Sequence, residues 1–243
     1  MWGIYRREIN SFFHTPLGYT LLGTFAVLNG LLLWVFPSNF NILEAGFGDI
    51  NLFFELNPWL FIFLIPALGM KSFSEEIKLG TLALLLSKPI GNTSIILGKY
   101  FALLTLVIIS LGFSLIYLLL LRNNLMPLHV IDYGVYIGSL TGLFLLAMAF
   151  AAISLWASTL IDSSFSAFLI AVFICLFNFY GWQQVAFFFD DFTVYNFIKS
   201  ISLQYHYGEL SKGIIRMSNV FYTLGLASFF LYWTNLNLKK RAQ

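Results

Sequence analysis

Six long stretches of the sequence contain no Asp, Glu, Lys or Arg, and this distribution of charge limits the possible folds more than any other feature. The stretches are residues 17–43, 56–70, 100–121, 133–161, 163–189 and 217–238. A helix needs roughly 20 apolar residues to cross the hydrocarbon core of a bilayer, and five of the six stretches meet that length. The second is shorter, but it extends outward through Leu52, Phe53 and Phe54, or inward past Lys71, whose long side chain can snorkel to the headgroups. The pattern predicts six membrane-spanning helices.

The composition supports a protein that lies in lipid. Hydrophobic residues make up 59% of the chain and charged residues only 10%, where a soluble domain has about a quarter charged. The formal net charge of +2 is too small to indicate nucleic-acid binding. We predict an all-α integral membrane protein with a single domain over residues 1–243. The expected spans are 17–36, 54–70, 99–121, 133–160, 164–187 and 217–237.

Basic residues are unevenly divided between the two sides that six spans create. The side with both termini carries nine of them: Arg6, Arg7, Lys71, Lys78, Lys88, Lys99, Lys239, Lys240 and Arg241. The opposite side carries four: Arg122, Lys199, Lys212 and Arg216. Because Lys and Arg near spans are retained in the cytoplasm, this asymmetry predicts that both termini are cytoplasmic.

Two segments outside the spans have an amphipathic or aromatic character. In residues 1–14, Trp2, Tyr5, Ile9 and Phe12 recur at spacings of three and four, which predicts an amphipathic helix at the cytoplasmic interface. Residues 190–215 combine many aromatic residues with few charges. They are expected to form a re-entrant or interfacial segment of short helices in the outer leaflet.

The sequence offers no site for catalysis, a metal or a cofactor. His14, His129 and His206 lie on different predicted segments with no metal-type spacing, and Cys175 is the single cysteine. The Gly98-Lys99 pair is followed by Tyr100, where a P-loop requires Ser or Thr. A membrane-embedded enzyme is therefore disfavoured, and the chain is not expected to hydrolyse ATP.

The predicted spans also lack the buried ionisable groups that ion-coupled transporters use as relays. Any energy for transport is thus expected to come from a partner. In the fourth span, Gly134, Gly138 and Gly142 form a small-xxx-small ladder. Such a ladder lets another helix approach closely, either within the protein or from a second copy or partner.

The cytoplasmic segment 72–89, between the second and third spans, is the most informative part of the sequence. Ser72 followed by Glu75 fits a capping box, Gly80 interrupts the first helix, and Thr81 is placed to cap a short apolar helix that ends before Pro89. An apolar knob on a cytoplasmic loop is costly to leave in water and favours a groove on a partner or the bilayer surface. A plain connector is the alternative that these residues leave open.

Specific motifs in this segment resemble a known family. Phe73-Ser74-Glu75-Glu76, then Gly80-Thr81-Leu82, then residues 84–90 are similar to the coupling-helix signature of ABC-2 type permeases. The resemblance extends over the whole chain and implies the ABC-2 permease fold. Residues 200–206, 212–215 and Tyr222, followed by the basic tail, further resemble the F-type permease of gliding-motility transporters.

The resemblance also implies partners and residue roles. The chain would be a non-catalytic permease subunit in the bacterial inner membrane. It would pair with a second permease, either a G-type subunit with a large external domain or a second copy, and would bind a cytoplasmic ABC ATPase dimer. The residues implied in ATPase coupling are Glu75, Glu76, Gly80, Thr81, Leu82, Leu85, Leu86 and Pro89. A non-transporting membrane scaffold remains an alternative, as does a permease that serves polysaccharide, lipid or drug export or metalloenzyme maturation.

Overall fold

The computed structural model describes residues 1–42, 51–87, 90–124, 133–214 and 216–241, and all regular elements within them are helices. In chain order these are α1 (Trp2–His14), α2 (Pro16–Trp34), α3 (Asn51–Gly69), α4 (Lys71–Lys78), α5 (Thr81–Leu86), α6 (Asn92–Asn124), α7 (Tyr133–Ser158), α8 (Ser164–Leu176), a π-helix (Phe177–Gly181), α9 (Trp182–Ala186), α10 (Phe192–Ile201), α11 (Leu203–Leu210) and α12 (Met217–Arg241).

Several of these helices are long and apolar enough to cross a membrane. Four qualify by length and composition: Asn51–Lys78, Asn92–Tyr117, Gly134–Ser158 and Ser164–Ala186. A fifth is added if Trp2–His14 and Gly18–Trp34, which are bent by 69° relative to each other, are taken as one broken span. Helix α12 has 25 residues and is long enough, but it is not among the qualifying helices. The prediction of an all-helical, multi-pass protein is confirmed at this level.

Helix α7 is the centre of the bundle and packs against α3, α6, α8, α11 and α12. Its buried side chains are mostly small, including Ala147, Ala151 and Ser154. Small residues let helix backbones approach closely, which is the main source of packing energy between helices in lipid. The approach to α3 is so close that a Cβ on Gly69 would overlap with Ser154 Oγ.

Helix α3 contains Pro58 and Pro66, and the first of these explains a contact with α11. Proline has no amide hydrogen, so the carbonyl four residues earlier loses its helical donor. For Pro58 that carbonyl belongs to Phe54, and it accepts a 2.5 Å hydrogen bond from Tyr207 Oη on α11. The contact provides a donor for a backbone acceptor that would otherwise be unpaired in an apolar environment.

Helix α1 packs on the first turns of α6 and leads into α2 at a sharp corner. Thr15 is extended, as expected for a residue before proline, and Pro16 begins α2. The buried residue of α1 is Ile4, whose Cγ2 would lie 3.0 Å from a Cβ on Gly98. Trp2, which we predicted on the apolar face, is 72% exposed. The side of α1 that packs on the protein is the one that carries Ile4.

The span that begins with α8 contains a π-helix, which the sequence did not predict. π-helical turns are rare and occur mostly as short insertions within α-helices. Ser202 Oγ, just before α11, donates a 2.5 Å hydrogen bond to Phe179 O within this π-helix. Trp59 of α3 packs edge-on against Phe179 and Tyr180, with ring centroids 5.5 Å away in each case.

Between the α8–α9 span and α12 lie two short helices with opposite environments. Helix α10 has no buried residue, whereas α11 buries Leu203, His206, Tyr207 and Leu210. The His206 ring stacks on Tyr222 of α12, and its two nitrogens lie 2.9 Å from Asn219 Oδ1 and 2.8 Å from Ser200 O. These contacts fix α11 to α10 and α12.

Contacts between helix termini bring α4, α7, α8 and α12 together at one end of the bundle. Arg241, in the last turn of α12, donates hydrogen bonds to Thr159 O and Leu160 O at the end of α7. Ser74 Oγ of α4 lies 2.8 Å from Ser164 Oγ at the start of α8. We call this the basic end, because it carries most of the chain's Lys and Arg residues.

Candidate functional site

Four charged residues meet at the basic end and form what we call the charged cluster: Arg7 and Glu8 of α1, Glu76 of α4 and Lys99 of α6. Lys99 Nζ lies 3.0 Å from Glu8 Oε1 and 3.1 Å from Glu76 Oε1. Arg7 Nη2 lies 2.8 Å and 2.7 Å from the same two oxygens. Two cations thus share two carboxylates, and the formal charges within the cluster balance.

Lys99 is the most deeply buried member, with its side chain only 1% exposed. It occupies the inward face of α6 because Ile95, Ile96 and Leu103, three or four residues away, are buried on the same side. Its ammonium donates a third hydrogen bond, 2.5 Å long, to Ser72 O, and it lies 4.9 Å from the centre of the Phe73 ring. A buried ammonium is tolerated only with such complete pairing.

The outer side of the cluster is formed by Arg7, whose side chain is about half exposed. Burial alone would lower the pKa of its guanidinium, but the hydrogen bonds and negative charges of Glu8 and Glu76 raise that pKa above its ordinary value. Arg7 therefore remains a permanent cation that closes the cluster toward solvent. Glu76 Oε2 is buried and has no hydrogen-bond partner among the described residues.

The cluster joins three helices that are far apart in the chain, and sequence reasoning did not find it. Lys99 and Arg7 were counted only as basic residues near the spans, on the side with both termini. The available signal was the apolar neighbourhood of Lys99, where Ile95, Ile96, Tyr100 and Leu103 leave little room for a solvated side chain. The identity of the acidic partners depends on how α1 and α4 pack, which spacing does not reveal.

Next to the cluster, α4 and α5 are separated by a sharp turn at Gly80. Gly80 has φ +69°, the left-handed conformation that glycine adopts without steric cost, so it ends α4 and precedes α5. The two most exposed leucines of this segment flank the turn: Leu79 is 73% exposed and Leu84 is 68% exposed. They give the basic end an exposed apolar surface, which we call the leucine knob.

The structure assigns the predicted coupling residues to different environments. Leu82 and Leu85, which we expected in the ATPase contact, are only 6% exposed and pack against the core, and Leu86 is partly buried. Leu79, which we had not selected, is exposed together with Leu84. Leu82, Leu85 and Leu86 are three or four residues apart and therefore share the side of α5 that faces the protein.

The polar residues of the segment are similarly divided. Glu75 is about half exposed and forms a 2.8 Å ion pair with Lys71, one helical turn away. Glu76 instead faces the charged cluster. Thr81 Oγ1 donates a 3.4 Å hydrogen bond to Glu76 O, and Pro89 lies outside the described residues.

The predicted capping box at Ser72 and Glu75 is wrong. The cap residue of α4 is Met70, which has helical geometry, and no side chain caps it. Ser72 is buried inside the helix. Helices α3 and α4 follow each other with so little interruption that Asn51–Lys78 can be treated as one long helix, so no free amide groups remain for a capping side chain.

The glycine ladder of α7 lies at the opposite end of the bundle, in the first turns of α7. A Cβ on Gly138 would lie 2.7 Å from Gly213 Cα and 3.1 Å from Leu210 O, and one on Gly142 would lie 2.9 Å from Leu210 Cβ. Ser139 Oγ donates a 2.9 Å hydrogen bond to Ser211 O in the same region. The neighbour of Gly138 and Gly142 is therefore α11 of the same chain, while Gly134 is exposed near the start of α7.

Within the part of the chain that the structure describes, no group of three or more His, Cys, Asp or Glu residues is arranged to hold a metal ion. His129 falls outside those residues.

A family model described as "ABC-2 family transporter protein" matches residues 13–237 of the chain. A search of curated proteins found no match.

Proposed function

The chain belongs to the ABC-2 family of transporter proteins, and on that premise we propose that it is a permease subunit driven by a separate cytoplasmic ATPase. The match covers all the long helices, α2 through most of α12. A permease of this type does no chemistry itself and converts movement of the ATPase into movement of its helices. The residues that receive that movement are therefore the ones to identify.

We propose six crossings of the bacterial inner membrane: α2, α3, α6, α7, the α8–α9 span and α12. Four of these qualify as spans directly, and α2 belongs to the bent pair that qualifies only together with α1. With six crossings, the basic end lies in the cytoplasm, as expected from the retention of Lys and Arg on that side. Both termini are then cytoplasmic.

The leucine knob is the proposed contact with the ATPase, and it is the observation on which the proposal depends. Exposed Leu79 and Leu84 flank a glycine turn at the basic end, while Glu75 remains accessible beside them. A cluster of exposed apolar side chains marks a surface that contacts a partner, and charged residues beside it add specificity. A cytoplasmic groove on the ATPase fits this arrangement.

The charged cluster explains how a push on the knob reaches the bundle. Glu76, one turn before Leu79, is held by Lys99 of α6 and Arg7 of α1. A displacement of α4 is therefore passed to α6 and α1 together. We propose that closure of the ATPase dimer around ATP moves these helices as one unit relative to α7.

Leu84→Glu is expected to prevent ATPase binding without unfolding the permease. The glutamate places a charge in the apolar contact, which weakens binding about tenfold or more, equivalent to at least about 1.4 kcal/mol. The test is affinity purification of the tagged full chain from its host membranes, with quantification of the co-purified Walker-type ATPase and its ATP hydrolysis.

Leu160→Glu is the matched control, because Leu160 is also an exposed leucine at the basic end but lies in the α7–α8 connection. It should retain the ATPase. If Leu84→Glu and Leu160→Glu purify with equal amounts of ATPase, or if the unmodified chain brings down none, the coupling proposal is wrong and a non-transporting scaffold becomes the better explanation.

Within the family, we propose the gliding-motility type, with a G-type second permease that carries a large external domain. The support is the sequence of residues 200–206 and 212–215. Ser200, His206 and Tyr222 of this motif bind one another across α10, α11 and α12, so their role is to build the fold of this region. Deletion of the gene in a gliding host, scored by colony spreading, distinguishes this type from the other ABC-2 exporters.

A further inference from the structure

The π-helix Phe177–Gly181 divides the α8–α9 span into two parts. An α-helix bonds each amide to the carbonyl four residues earlier and a π-helix to the carbonyl five residues earlier, so a π-helical turn holds one additional residue. The same residues can also form a continuous α-helix, in which everything after the π-helix is turned by about 100° relative to α8. Short π-helical insertions of this kind occur frequently at functional sites.

Side chains of the span itself stabilise the π-helix. Asn178 Nδ2 donates a 2.9 Å hydrogen bond to Ile174 O, one turn earlier. The Phe177 ring lies across Gly181, where a Cβ would be only 2.6 Å from Phe177 Cδ2. The same ring contacts Trp182, with ring centroids 5.1 Å apart. The ring can keep this position because residue 181 has no side chain.

A contact from outside the span also holds the π-helix. Ser202, between α10 and α11, is fully buried, and its Oγ donates a 2.5 Å hydrogen bond to Phe179 O. The same oxygen accepts a 3.2 Å hydrogen bond from Gln204 N and thus caps α11. One hydroxyl therefore joins the first turn of α11 to a carbonyl of the π-helix.

The two parts of the span have different neighbours. Helix α8, before the π-helix, packs against α3 and α7. The Phe179 ring is 2% exposed and packs edge-on against Trp59 of α3 and Phe150 of α7, with centroids 5.5 Å and 6.3 Å away. The main neighbours of α9, in contrast, are the π-helix and α10. The first part is thus fixed to the bundle, whereas α9 can turn together with α10.

We propose that the π-helix is a conformational switch in the α8–α9 span and that Ser202 holds it in its π form. When α11 moves and Ser202 releases Phe179 O, the span closes to a continuous α-helix, which turns α9 and α10 relative to α8. The switch itself needs only the contacts of this chain. Its use in a transport cycle rests on the proposed permease function.

Ser202→Gly tests the switch, because it removes the hydroxyl that holds the π-helix while glycine remains an acceptable cap for α11. Spin labels at Gln183→Cys or Gln184→Cys on α9, each paired with one at exposed Tyr232→Cys on α12, report the orientation of α9 in the purified full chain. The two glutamines lie about 100° apart around the helix, so a turn of α9 cannot leave both distances unchanged. We expect at least one of them to change by several ångströms.

Control proteins separate a turn of α9 from a general distortion. A label at Leu169→Cys on α8, paired with the same Tyr232→Cys, should keep its distance because α8 lies before the π-helix. Ser200→Ala removes a hydroxyl that bonds within α10 and should change none of the distances. Cys175, the single native cysteine, is buried and is replaced by alanine in every protein compared. Unchanged α9 distances in Ser202→Gly, or an equal shift of the α8 label, would overturn the proposal.

Deletion of Asn178 is a second test, which needs no substitution at Ser202. Removing one residue from the π-helix leaves a continuous α-helix in which α9 keeps its orientation, because the π-helical turn holds one residue more than an α-helical turn. The distances of the Gln183 and Gln184 labels should therefore equal those in the unmodified chain, and Ser202→Gly should no longer change them. A turn of α9 in the deletion variant contradicts the switch.

The use of the switch in transport is tested in the complex with the co-purified ATPase. Trapping with ADP and vanadate should change the α9 distances in the unmodified chain but not in the Asn178 deletion. If an ATPase co-purifies and the distances stay the same, the switch has no part in the cycle. If no ATPase co-purifies, the proposed function is wrong, while the Ser202→Gly and Asn178-deletion distances still decide whether the switch exists.

Discussion

Lys99→Met should destabilise the protein more than any other single substitution at the basic end. It leaves the carboxylates of Glu8 and Glu76, both mostly buried, with Arg7 as their only cation in the charged cluster. Removing one partner of a buried ion pair typically costs about 3–5 kcal/mol. For a chain of this size we expect a melting temperature lower by on the order of 10 °C, measured by tryptophan fluorescence of the detergent-solubilised protein.

Lys78→Met is the matched control, because it removes the same charge from an exposed position at the end of α4. A change at an exposed position usually alters stability by less than about 0.5 kcal/mol. The double substitution Lys99→Met with Glu76→Gln returns the cluster to neutral charge. It should melt above Lys99→Met alone, because Glu76→Gln removes one of the buried carboxylates that Lys99→Met leaves without its ammonium partner. Equal melting of Lys99→Met and Lys78→Met would show that the cluster does not hold the helices together.

Gly138→Ala should have the second large effect, at the opposite end of the bundle. The added Cβ would lie 2.7 Å from Gly213 Cα and 3.1 Å from Leu210 O. These are backbone atoms, so no side-chain rotation relieves the overlap, and α11 must move away from α7. We expect a loss of about 1–3 kcal/mol, the typical cost of overpacking, measured by thermal unfolding.

The displacement should also be visible in the contacts that α11 makes. Tyr207 donates its hydroxyl to Phe54 O, the carbonyl that Pro58 leaves unpaired, and a shifted α11 weakens this bond. Limited proteolysis should therefore cut the α10–α11 region faster in Gly138→Ala than in the unmodified chain. This readout distinguishes a local displacement of α11 from a general loss of stability.

Gly225→Ala on α12 is the control for the substitution itself. A Cβ at Gly225 meets nothing within 4 Å, so the change should be neutral or should stabilise the helix by up to about 1 kcal/mol. If Gly138→Ala is as stable as Gly225→Ala and equally resistant to protease, then α11 is not tightly packed against α7.

The two ends of the bundle have different parts in the proposed mechanism. At the basic end, a charged cluster joins α1, α4 and α6 beside the leucine knob. At the opposite end, the backbones of α7 and α11 meet at glycine residues, and a hydroxyl pairs with the carbonyl that a proline leaves free. We propose that the first arrangement transmits force from the ATPase, while the second defines the outer part of the bundle on which that force acts.

The sequence alone determined the properties that depend on local composition. Long uncharged stretches predicted an all-helical, multi-pass membrane protein, because backbone groups in lipid must pair within their own helix. The motifs of residues 73–90 predicted an ABC-2 permease, and the family match confirms it. Gly80 was correctly predicted to interrupt the helix, because its effect on the backbone is local.

Tertiary structure decided the properties that depend on which helices are neighbours. The family resemblance implied that Leu82 and Leu85 contact the ATPase, but packing buries them and exposes Leu79 and Leu84. Lys99 was counted only as a basic residue at the end of a span, yet it is enclosed by Glu8 and Glu76, which lie far from it in the chain. The physical reason is that helical periodicity defines which residues share a face, whereas the three-dimensional packing of α1, α4 and α6 determines which face is inward.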